Sequence, residues 1–150
     1  MTRLLTLVVL GIAVVSTLAE AKSKRIHVTA KVVQQTFTGD SDNPKIGDQL
    51  ITSVELHDKH DMEVGTGAGA CTIVSAPPLD TLVQCLLTAV FAKGQLIGQL
   101  IFGGVAPLPE IGVVAHFGIF GGTGDFRKAR GEATLVVITP ELQEGTFDLE

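Results

Sequence analysis

Tryptophan and tyrosine are both missing from the 150 residues, and phenylalanine, at seven, is the only aromatic side chain. Single-stranded nucleic acids are held largely by stacking on aromatic rings, and carbohydrate-binding faces usually present flat aromatic platforms. Both classes of partner therefore lose their usual contact groups. Positive charge is also scarce, since 11 Lys and Arg stand against 16 Asp and Glu, for a formal net charge of −5. The only basic clusters, Lys22-Ser23-Lys24-Arg25 and Arg127-Lys128-Ala129-Arg130, are too small for the phosphate-neutralising stripe that nucleic-acid binding needs. No nucleic-acid partner is expected. With so few aromatics the interior must be mostly aliphatic.

No apolar run is long enough for a membrane span. Leu4 to Leu18 (LLTLVVLGIAVVSTL) is the longest, and a spanning helix needs about 20 apolar residues. The run follows Arg3 and precedes Ala19-Glu20-Ala21, an A-x-A cleavage signal, and it lacks a basic stop. These are the marks of a secretory signal peptide. Residues 1–21 are expected to be removed, leaving one domain over residues 22–150 that is secreted and free of the membrane. Cleavage removes Arg3 and Glu20, so the net charge stays at −5.

Strong helix punctuation is missing too. Seventeen glycines and turn signals at intervals of roughly 10 residues read as an all-β chain. Strands are expected near 26–37, 49–56, 62–75, 81–92, 95–102, 112–120 and 132–139, with a short last one near 146–149. Polar or proline-bearing loops fall at 38–44 and 106–109; proline cannot donate to a central ladder. The strands are apolar on both faces. In 81–92, Val83, Cys85, Leu87, Ala89 and Phe91 lie on one side, and Leu82, Leu86 and Val90 on the other. An antiparallel sheet with one wet face would alternate more cleanly. A closed barrel whose outer wall packs on a neighbouring subunit fits this pattern, as does a sandwich with one face under loops.

Cys71 and Cys85 flank a hairpin whose turn is Pro77-Pro78-Leu79-Asp80. A turn centred on Pro78 puts them opposite each other, at a separation a disulfide accepts, and the secretory route is oxidising. A disulfide is the first reading. Two buried thiols are the second. A catalytic cysteine is the third, with no histidine nearby in sequence to lower its pKa.

Three motifs invite sharper readings. His57-Asp58-Lys59-His60-Asp61 could approach one ion with two histidines, but zinc sites usually want a third and fourth ligand, so a solvated turn is expected and no metal. Gly65-Thr66-Gly67-Ala68-Gly69 looks like a phosphate loop. A dinucleotide fingerprint must open a helix, whereas a strand follows here, so these glycines serve close strand packing or a bulge. No cofactor is expected. In Gly121-Gly122-Thr123-Gly124-Asp125-Phe126 and Ala129-Arg130-Gly131-Glu132, paired glycines allow positive φ in a tight corner. Phe126 would plug the interior, and Arg130 would hold carboxylates or carbonyls across the corner. No base is apparent that would make Thr123 a nucleophile.

The segment GGTGDFRKARGEAT (121–134) resembles the hallmark segment of plant dirigent proteins and allene oxide cyclases. Gly47-Asp48, opening a strand, and the segment from Val64 to Cys71 that ends in Gly-x-Cys are similar to cyclase features in the same order. The resemblance implies an eight-stranded antiparallel barrel with an internal apolar cavity, assembled as a homodimer or homotrimer. The functional residues of those families carry over badly. The cyclases' first-strand glutamate falls on the stretch from Ala30 to Gln35, which holds no acid, and their asparagine falls on Val54. Of their set only Cys71 matches. The dirigent arginine aligns near Ala115, and of that set only Thr123 remains. Allene oxide cyclase activity itself is not expected.

Three functions follow from the resemblance. One is a barrel that binds or templates a lipophilic small molecule. Another is a cyclase or stereocontrol protein acting by shape, with Lys31, Gln35, Glu55 and Thr123 as weak catalytic candidates. The last is a structural or interaction module. No reaction is assigned, and strand register decides which candidates face inward.

Overall fold

Strands joined by short turns pair antiparallel, and the last one either finds a partner or leaves an open edge. The computed structural model describes residues 23–40, 42–76, 81–103 and 111–150, with the backbone alone for 100–103. The segments read above as a signal peptide, as the 77–80 turn and as the 106–109 loop lie outside the described residues. Eight strands follow in order: β1 (Lys24–Phe37), β2 (Gln49–His57), β3 (Glu63–Ser75), β4 (Leu82–Phe91), β5 (Gly94–Gly103), β6 (Val114–Gly122), β7 (Gly131–Thr139) and β8 (Leu142–Leu149). Each pairs with the next, and β8 returns to β1, closing an antiparallel barrel. The last strand is longer than the expected 146–149, because Leu142 and Gln143 already pair with Lys31 and Ala30.

Cross-strand partners share a face, so register fixes the lumen. One inward row runs Val54, Gly67, Ala89, Leu96, and another runs Thr52, Gly69, Leu87, Gly98. Val28, Ala30, Phe117, Ile119, Ala133 and Phe147 complete a buried core inside the barrel. Five residues are left unpaired at bulges: Val33, Val64, Val74, Phe120 and Ile138. A bulge shifts the period-2 alternation by one residue. Up to Val32 the even-numbered residues of β1 face inward. Beyond Val33 the inward residues are Gln35 and Phe37, opposite Thr52 and Leu50.

One end of the barrel is closed by the corner at 121–131. A single 3-10 turn, Gly124–Phe126, carries the Phe126 ring beneath the strands, where it is 5% exposed. Phe91 sits between Phe126 and Phe147 at ring distances of 5.7 and 6.1 Å, within the range of favourable aromatic pairs. The corner is tied to the β4–β5 turn, since Thr123 N–H donates to the Gln95 carbonyl at 3.0 Å and Asp125 N–H to that of Lys93 at 2.9 Å. The expected plug is therefore present, but the positive φ angles are not where the paired glycines put them. They occur at Gly124 (59°) and Gly131 (137°), while Gly121 and Gly122 continue β6. Gly122 is needed for close approach, because a Cβ there would strike the Gln95 carbonyl and lie 3.0 Å from Phe126 Cβ. Arg130 donates from Nη1 to the carbonyl of its own neighbour, Ala129, at 2.8 Å, and not across the corner.

Candidate functional site

The lumen is packed differently along its length. Near the closed end the inward glycines are surrounded. A Cβ on Gly67 would lie 2.8 Å from Val54 Cγ2, one on Gly98 2.9 Å from Ile119 Cδ1, and one on Gly145 3.0 Å from Val28 Cγ2. Leu96, Ala133 and Phe147 there are at most 2% exposed. Further along β3, a Cβ on Gly69 would meet only the Leu86 carbonyl oxygen, at 3.8 Å. Thr52, Gly69, Cys71 and Leu87, neighbours in this part of the wall, are half-buried although they point inward. Gln35, Phe37 and Gln143 are half-buried as well.

Cys71 and Cys85 are paired in register and form a disulfide that faces this layer. Cys85 is 2% exposed. The bridge joins β3 to β4 beside Gly69, so Cys71 acts as a cross-link and has no free thiol.

Of the weak catalytic candidates, register turns Gln35 inward and opposite Thr52. Lys31 and Glu55 are paired with each other on the outer wall. Thr123 is exposed at the closed-end corner, and its hydroxyl accepts from Gln95 N–H at 3.2 Å. Val54 and Ala115, where the related families place polar groups, both pack toward the core as apolar residues. Sequence reasoning missed two inward polar groups. Thr52 needed the register of β2. Gln143, opposite buried Ala30 and Val137, needed the true start of β8.

The outer wall holds a separate polar cluster at the β2–β3 turn. Lys31 Nζ lies 2.6 Å from Asp61 Oδ1. His57 Nδ1 is 3.2 Å from the same carboxylate, and its Nε2 is 3.4 Å from Glu55 Oε2. The hydrogen bond and the charge of Lys31 hold the Asp61 carboxyl below its ordinary range. Asp58 is also lowered, by the backbone N–H groups of Met62 and His60, which it accepts at 3.0 and 2.8 Å. The turn is polar as expected, but His57 is buried in it at 9% exposure, since Asp61, at φ 60°, folds back over the ring. No group of three or more metal-ligating side chains occurs among the described residues.

Among curated proteins, none matches the chain in sequence. Solved structures do resemble its fold. A pyocyanin demethylase superposes with a TM-score of 0.69 at 24% identity, covering 85% of this chain and 100% of that one. AbnU, described as an exo-specific intermolecular Diels-Alderase, gives 0.64 at 16% identity, covering 84% and 98%. The Diels-Alderase AbmU from Streptomyces koyangensis gives 0.68 at 20% identity, covering 84% of this chain and 63% of that one. At these identities the likeness is one of fold. The family model for the allene oxide cyclase barrel like domain matches residues 25–147, nearly the whole described barrel. By that match and by its closed eight-stranded architecture, the chain belongs to the allene oxide cyclase-like barrel family.

Proposed function

We infer that this chain is a secreted barrel that takes a lipophilic small molecule into its lumen and binds or templates it there. The observation that carries this reading is the contrast inside the barrel. The inward residues Thr52, Gly69, Cys71 and Leu87 keep accessible surface, and no described side chain approaches a Cβ at Gly69, whereas inward residues to either side, Ala89 and Leu96 in one direction and Ile73 and Val83 in the other, are at most 2% exposed. Ligand sites are typically concave, mostly apolar and supplied with a few placed polar groups. Gln35, Thr52 and Gln143 would be those groups. The leader-like residues 1–21 and the Cys71–Cys85 bridge both suit an oxidising, extracellular destination.

A second reading is catalysis by shape, favoured by the likeness to two proteins described as Diels-Alderases. A cycloaddition needs no acid, base or nucleophile, only two reacting ends held as a near-attack conformer in a water-poor space. A pyocyanin demethylase has an equally similar fold, so fold alone does not choose the reaction. The outer wall of β2 to β4 exposes Ile51, Leu86 and Val90 with small Ala68 and Ala70 between them. That surface supports self-association into a dimer or trimer, which light scattering tests.

The function is tested by native mass spectrometry of protein purified from its secreting host, followed by titration with an apolar fluorescent dye. A retained or exchangeable lipophile is expected. An empty protein that binds no dye would leave only a structural or interaction module. Chiral analysis of polyene substrates incubated with the protein tests the second reading, and unchanged product ratios would end it.

A further inference from the structure

We propose that the ligand of this lumen is electrically neutral: a lipophile carrying hydroxyl, carbonyl or amide groups, with no carboxylate and no ammonium. The inference rests on the lipophile-binding reading above and narrows it to a chemical class.

Among the described residues, the polar side chains that face the lumen are Gln35, Thr52 and Gln143. All three are uncharged. The charged side chains sit elsewhere. Lys31 and Glu55 occupy the outer wall with Asp61, Arg25 pairs with Asp148 outside, and Lys24 is exposed 5.0 Å over the Phe126 ring at the closed end. His27 and His116 pair outward with Thr146 and Glu132. The internal segments outside the description, 77–80 and 104–110, contain no Lys, Arg or His, and Arg3 and Lys22 precede β1. Among the described residues, then, no Lys, Arg or His stands at an inward strand position to pair with a carboxylate.

A carboxylate enclosed without a partner loses its hydration and gains nothing comparable in return, so it either stays outside or takes up a proton. An enclosed ammonium faces the same cost along the strands, since the carboxylate of Asp48, at the rim beyond Leu50, already accepts from the Lys45 N–H at 2.7 Å. A neutral hydroxyl or carbonyl behaves differently. Each glutamine amide offers two donors and an acceptor, and the threonine hydroxyl offers one donor and accepts as well, so a neutral polar group can exchange its water for these partners. The inward strand positions of this chain thus offer amide and hydroxyl contacts.

The test is calorimetric titration of the purified protein with geraniol, farnesol and geranylgeraniol, each against the carboxylic acid of the same skeleton, beside an apolar dye. Near pH 8 the best-fitting alcohol is expected to bind at least about tenfold tighter than its acid. That gap is expected to narrow on going to about pH 5, where the carboxyl begins to protonate. Gln35→Ala is expected to weaken alcohol binding about threefold or more while leaving dye binding unchanged. Acids that bind as tightly as the alcohols near pH 8 would overturn the neutral-ligand inference and leave the lipophile reading standing. Failure of alcohols, acids and dye alike would instead remove the lipophile reading itself.

Discussion

At the closed end of the barrel, glycine stands at inward positions because the space is already taken, as Val54 crowds Gly67 and Val28 crowds Gly145. At Gly69, two residues further along the same strand and facing the same lumen, a Cβ would have no described neighbour closer than the Leu86 carbonyl oxygen at 3.8 Å. One end of the barrel is held by aromatic and aliphatic packing around Phe126. The layer beside Gly69 is held by a covalent bridge between β3 and β4. An identical residue type thus has crowded surroundings in one region and, among the described residues, looser ones in the other. The difference teaches that glycine at an inward strand position is not by itself a mark of close packing.

The largest expected effect bears on the packed end. Phe126→Ala should destabilise the protein by about 3–5 kcal/mol, the usual cost of removing a buried aromatic, as read by denaturant unfolding. A loss no larger than that of a surface substitution would mean that the plug does not close the barrel. Next comes the bridge. The two cysteines are 14 residues apart, and a loop of that size is worth about 3 kcal/mol in the chain-entropy account. The double variant Cys71→Ala with Cys85→Ala should lose roughly that amount, and reductant should lower the stability of the wild type but not of the variant.

The comparison itself is tested by a pair of glycine substitutions. Gly67→Val should cost about 1–3 kcal/mol through overpacking. Gly69→Ala should stay within about 0.5 kcal/mol, and larger side chains at Gly69 should block dye binding before they unfold the protein. Equal costs at the two positions would erase the distinction between the two regions. The smallest effect lies outside the lumen. Lys31 depresses the Asp61 carboxyl, so the pair adds stability above the ordinary aspartate pKa, and this contribution disappears as pH falls through the lowered value. Both partners are solvated, and the gain is correspondingly slight. Carbon-detected NMR titration should show the Asp61 midpoint moving upward in Lys31→Met, and an unmoved midpoint would mean that the ion pair is absent in solution.

Much of the architecture was legible from short-range pattern. Turn spacing located all eight strands, although the last was read four residues short because Gln143 and Glu144 look like loop. The opposition of Cys71 and Cys85 followed from counting outward from the turn. Phe126 stood out as the apolar residue in a glycine-rich corner. The conformations inside that corner were less legible. Positive φ fell to Gly124 and Gly131, which the backbone path selects, while the adjacent Gly121 and Gly122 remained in strand.

The sequence by itself determined the β class, most of the strands and the opposition of the two cysteines across their hairpin, because turn chemistry and turn spacing are local properties, while the count of eight came with the family resemblance. Only the tertiary structure decided which polar groups enter the lumen. One unpaired residue, Val33, resets the alternation, so that Gln35 points inward while Lys31 and Glu55 stay outside. That choice depends on pairing with β2, far along the chain, and no periodicity within β1 carries it.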